Sequence, residues 1–149
     1  MTKIEEAKRL LDSGVVLAVV NGEKSYTSDL RGVSALLSLY NNNPMLIKGA
    51  YIADKVIGKA AALLMVLGKT KEVFALTISK NAVSVFEKNG IPYSYLNIVD
   101  FIKNREGTGR CPLEQCVLTI DDPILAFNAI NNKLEELRLK NENNNIEKH

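Results

Sequence analysis

The stretch that decides the fold is Leu46-Ile-Lys-Gly-Ala-Tyr-Ile-Ala53, followed past Asp54-Lys55 by Val56-Ile-Gly-Lys-Ala-Ala-Ala-Leu-Leu-Met-Val-Leu67. Its first part reads as a buried strand interrupted by Lys48 and Gly49. Its second part reads as a helix that is apolar nearly all round, and such a helix belongs in the middle of a domain.

Upstream, Thr2 and Glu5 have capping-box spacing, and Ile4, Ala7, Leu10 and Leu11 keep a helical period until Gly14. Val15–Val20 is an apolar run, Asn21-Gly22 is a strong hairpin signal, and Lys24–Ser28 is its partner strand. Asp29 caps a predicted helix Leu30–Tyr40, which Asn41-Asn42-Asn43-Pro44 ends. Downstream, Glu72–Ile78 is a strand, Ser79 caps a helix to Lys88, and Pro92–Leu96 is the last strand. Asn97 is expected to cap a short helix to Lys103. Pro112 fits the first turn of another, and Asp122-Pro123 opens a C-terminal helix. Strands alternating with helices after one hairpin predict an α/β fold, a three-layer α/β/α sandwich on a mixed sheet.

The 149 residues predict one domain over 1–139, with 140–149 as a disordered polar tail too poor in apolar residues to pack. A net charge of +2 gives no argument for nucleic acid or an anionic membrane, and no apolar run reaches the roughly 18 residues of a membrane span. The charged N-terminus has no apolar signal core, so a cytoplasmic location with reduced Cys111 and Cys116 is expected. The sole histidine is the last residue, His149, which removes Ser-His-Asp, Cys-His and HExxH chemistry. No metal site and no cofactor are expected. A homo-oligomer stays open.

Two segments carry candidate chemistry. Asp54, Lys55 and Lys59 sit where a strand passes into a helix, at the carboxyl end where open α/β sheets gather ligands. Arg31 starts the preceding helix and reaches the same end. Asp54 as a helix cap with solvated lysines is the competing reading. Gly58-Lys59 is not a phosphate-binding Walker loop, because Ala53 and Ala60 stand where that motif needs glycine and a hydroxyl. The second segment runs from Arg105 through Gly107, Thr108 and Gly109 to Glu114. Pro112 makes Cys111 the N-cap of the next helix, where nearby arginines favour a thiolate. A structural cap is the alternative, and Cys116 reads as a core residue.

These same stretches, Gly49-Ala-Tyr-Ile-Ala-Asp54-Lys55-Val-Ile-Gly58-Lys59-Ala-Ala-Ala62 and Asn104-Arg105-Glu-Gly107-Thr108-Gly109-Arg-Cys111-Pro112-Leu-Glu114, resemble the family called domain of unknown function 1893. The resemblance runs from about Ile4 to Ala129. It implies a cytidine-deaminase-like fold with strand order 2-1-3-4-5. Working deaminases hold zinc through a [HC]-x-E motif and a P-C-x-x-C motif at two helix starts. The equivalent positions, Ser28–Gly32 and Asp54–Lys59, contain neither His nor Cys, and no Glu stands where the proton shuttle would be.

Two functions are therefore expected to compete. One is a binding module that holds a small anionic, nucleotide-like ligand through Arg31, Lys55, Lys59, Arg105, Gly107, Thr108 and Gly109. The other is a metal-free enzyme with Cys111 as nucleophile, Asp54 or Glu114 for proton transfer, and Lys55 stabilising negative charge.

Overall fold

A computed structural model describes residues 1–147; Lys148 and His149, the end of the expected tail, lie outside the described residues. Helix α1 (Lys3–Asp12) starts with the capping box, Thr2 Oγ1 accepting from the Glu5 amide while the Glu5 carboxylate accepts from the Thr2 amide. Strands β1 (Leu17–Asn21) and β2 (Lys24–Ser28) pair as the hairpin, with Gly22 at φ +63° taking the left-handed turn position. Helix α2 spans Gly32–Asn42 with Arg31 as its N-cap residue, so Asp29 does not cap it.

The decisive stretch is divided differently from the expectation at both ends. Pro44–Ile47 forms a short helix, α3, rather than the start of a strand. The Asn21 side-chain amide donates to the carbonyls of Met45, Leu46 and Lys48 at 2.9–3.2 Å, a long-range partner that no local pattern announces. Strand β3 then runs Tyr51–Ile57, so Asp54, Lys55, Val56 and Ile57 lie in the strand, and helix α4 begins only at Lys59 and ends at Leu67. Parallel pairing with the next strand decides this, since Val56 and Ile57 lie opposite Thr77 and Ile78. Asp54 is therefore no helix cap.

The chain continues through β4 (Glu72–Ser79), α5 (Lys80–Asn89) and β5 (Tyr93–Val99). Ser79 caps α5 by accepting from the Ala82 amide, and Gly90 closes it in the left-handed conformation. Asn97 caps no helix, because it pairs with Thr77 inside β5. Helices α6 (Pro112–Cys116) and α7 (Pro123–Glu147) complete the order. Through Glu147, α7 is helical where a disordered tail was expected. Arg138 reaches Glu135 and Glu142 on the same helix, a spacing that favours helix without a core.

The five strands form one mixed sheet in the order β2-β1-β3-β4-β5, with β1 antiparallel to both neighbours and β3, β4 and β5 parallel. On one face α1 packs Ile4, Ala7 and Leu11 on Val20, Ala53 and Phe74. On the other, α2, α4 and α5 cover Leu17, Val19, Ile52, Val73 and Ala75, and α7 lies against α4. Leu63, Leu64 and Met65 of α4 are at most 3% exposed, each burial favouring the fold by about 1.5–3 kcal/mol. No helix among the described residues is long and apolar enough to cross a membrane.

Candidate functional site

The antiparallel β1 and parallel β4 flank β3, so strand direction changes at β3, and its carboxyl end opens between α2 and α6. A cleft of about 370 Å³ lies there. Arg31, Lys55 and Lys103 bring positive charge to it, and Asp54, Glu114 and Cys111 also line it. Val16, Val33, Val56, Ile102 and Leu113 supply apolar walls. The cleft thus brings together Arg31, Asp54, Lys55, Cys111 and Glu114 of the residues singled out in the sequence. A larger open groove of about 770 Å³ adjoins it along β5 and shares Val56, Ile102 and Lys103. The smaller cleft is the better candidate, because the buried carboxyls lie there, whereas the exposed Lys80 and Asp100 of the groove satisfy each other at 2.7 Å.

Asp54 is 1% exposed and lies between Leu17 and Ala75 in the sheet, neither of which offers a charge or a side-chain hydrogen bond. Its Oδ1 accepts from the Val56 amide at 3.3 Å, while Oδ2 has no partner among the described residues. Burial pushes its pKa up to about 7, against the opposing pull of the Val56 and Lys55 amides. The carboxyl abuts the first residue of α2, where a Cβ on Gly32 would stand 2.2 Å from Oδ2. No side chain caps that helix.

Glu114 is engaged differently. From α6 it reaches the start of α4, Oε2 accepting from the Lys59 amide at 2.7 Å and Oε1 from the Ala60 amide at 3.3 Å. Burial raises its pKa, and those two amides oppose the rise. The cap that α4 lacks locally comes from 55 positions along the chain. Gly58 makes the approach feasible, since a Cβ there would lie 2.0 Å from Oε1.

The remaining sequence candidates lie outside the cleft. The Lys59 side chain is 8% exposed and turns toward the chain after α6, donating to the Leu118 carbonyl at 3.0 Å and pairing with Asp121 at 3.1 Å. Arg105, Gly107, Thr108 and Gly109 form a closed turn beyond the Lys103–Arg110 bridge. Asn104 organises it, accepting from the Thr108 amide at 3.0 Å and donating to Thr108 Oγ1 at 3.1 Å. Cys111 precedes α6 as its N-cap residue without capping it through the side chain, and both cysteines are free thiols. Cys116 donates to the Leu113 carbonyl, and burial pushes its pKa up. Gly32, Gly58 and Lys103 also line the cleft, and residue type alone assigns none of them a role there. A glycine between strand and helix at Gly58 was the one available signal, and its meaning depends on Glu114.

Fold and cleft together define an α/β protein with a mixed five-stranded sheet and a cationic cleft at the carboxyl end of its central strand. Residues 6–134 match the family described as "Domain of unknown function (DUF1893)", and the chain belongs to that family. It is similar to the crystal structure of a DUF1893 family protein, TM1506, from Thermotoga maritima, with a TM-score of 0.80 and 25% sequence identity over 88% of this chain and 89% of that one. No curated protein matches the sequence.

Proposed function

We propose that the cleft binds a small anionic, nucleotide-like ligand on a deaminase-like scaffold whose zinc-ligating positions are empty of His and Cys. The observation that carries this reading is the convergence of Arg31, Lys55 and Lys103 on an apolar-walled cleft of about 370 Å³. A cleft of that size suits a small molecule. Its valine, isoleucine and leucine walls suit a flat ring, and its cations and the uncapped α2 N-terminus suit a phosphate. A thermal-shift series with nucleotides and sugar phosphates tests it. A ligand near 100 times its Kd raises Tm by about 5–10 °C, and Lys55→Glu abolishes the rise. A flat response across the series overturns the reading.

A second reading, a metal-free enzyme with Cys111 as nucleophile, is supported by the presence of Cys111 and Asp54 in the same cleft. Both Glu114 oxygens are held by α4, which leaves Asp54 as its proton-transfer group. Alkylation with iodoacetamide at pH 7.5, mapped by mass spectrometry, is expected to reach Cys111 well before Cys116, whose thiol is held protonated by burial. Preferential labelling of Cys116 removes the reason for choosing Cys111.

A further inference from the structure

We propose that the cleft takes up its oxyanion, a phosphate or carboxylate group, together with one proton, which resides on Asp54 and is presented to the bound group as an O–H donor. This deepens the anion-binding reading and rests on it. Asp54 Oδ2 is buried at the cleft without a partner among the described residues, while Oδ1 is already served by the Val56 amide. An oxyanion offers acceptors only, so an ionised Asp54 beside it would set two acceptors and two negative charges against each other. The protonated acid removes the repulsion and gives Oδ2 the acceptor it lacks.

The surroundings reinforce the point. The strand neighbours Leu17 and Ala75 bring no charge to Asp54. The charged and titratable groups that line the cleft with it are Arg31 before α2, Lys55 on β3, Lys103 after β5, and Cys111 and Glu114 at α6. With an anion bound, the three cations serve the ligand rather than Asp54. Helix α2, eleven residues long and uncapped by any side chain, starts against the same carboxyl and favours the anion. Near neutral pH the empty protein has Asp54 partly ionised, so binding above that point must draw a proton from solution.

The test is isothermal titration calorimetry with sulfate and with oxalate, tetrahedral and planar probes that do not titrate between pH 6 and 9. At pH 8.5, measured in two buffers of different ionisation enthalpy, uptake of close to one proton per anion is expected. Affinity should fall about tenfold per pH unit above pH 7.5. Asp54→Asn flattens this profile, and in Cys111→Ser the fall persists, which separates Asp54 from the thiol. A stronger response to sulfate assigns a phosphate-like group, and one to oxalate a carboxylate. Binding with no proton uptake, or a fall that survives Asp54→Asn, overturns the coupling and leaves the anion site standing. Failure of both probes to bind at pH 6.5 as well as 8.5 overturns the coupling and the anion reading together.

Discussion

Gly58→Ala lowers stability by about 3 kcal/mol and Tm by about 6–12 °C, although its backbone suits any residue. The φ of −101° and ψ of −175° at Gly58 are ordinary extended values, so no conformational penalty accompanies the change. The loss is steric and electrostatic. The new methyl carbon would lie 2.0 Å from Glu114 Oε1 and 2.4 Å from Cδ, so the carboxyl must leave, and the Lys59 and Ala60 amides lose a charged acceptor. Glu114→Ala gives a loss of similar size, and the double variant loses little more than either single one. Urea denaturation of the four proteins closes this cycle. Additive losses would show that Gly58 does not act through Glu114.

Asp54→Asn stabilises the protein at pH 8 by about 4 kcal/mol, and the gain shrinks to under about 1 kcal/mol by pH 4. The sign follows from burial. The folded-state pKa of about 7 lies above the ordinary value of 3.8, so between these values the folded chain binds more protons than the unfolded one. Stability therefore falls as pH rises from about 4 to about 7 and levels off above. The amide keeps the shape of the carboxyl and has no charge to desolvate. Urea midpoints at pH 4, 6 and 8 measure it. A gain independent of pH would mean that Asp54 titrates normally and that its burial costs nothing electrostatic. A buried group that weakens the protein at neutral pH is the pattern of a site rather than of a core.

Local chemistry in the sequence was enough for α1, the hairpin and α5, because Thr2 with Glu5, Asn21-Gly22, and Ser79 with Gly90 each act within a few residues. The strand order implied by the family resemblance is the order found. Local pattern carries no information where partners are distant. Val56 and Ile57 fit a strand or a helix equally well by hydrophobicity, and only their pairing with β4 settles the matter. The same holds for Asn97 and for the carbonyls served by Asn21.

The candidate site was legible in part. The carboxyl end of the central strand and the segment at Cys111 come together in space, and Arg31, Asp54, Lys55, Cys111 and Glu114 share one cleft. Residue type alone points to Lys59, Arg105 and the Gly107–Gly109 turn, but their side chains and backbone are spent on Leu118, Asp121 and Asn104 or turned to solvent. Spacing along the chain carries no record of such partners.

The double attachment at Lys59 bears on motion. Its amide is tied to Glu114 in α6, and its ammonium is tied to Leu118 and Asp121 just beyond. One residue of an almost fully buried helix thus fastens α6 and the chain that follows it, and Glu114 of that stretch lines the cleft. Such a segment does not fray from one side. It is released as a unit, with a single opening free energy, and that release takes the Glu114 cap away from α4. Detachment of α6 and loss of the cap on the central helix are, in this fold, one equilibrium.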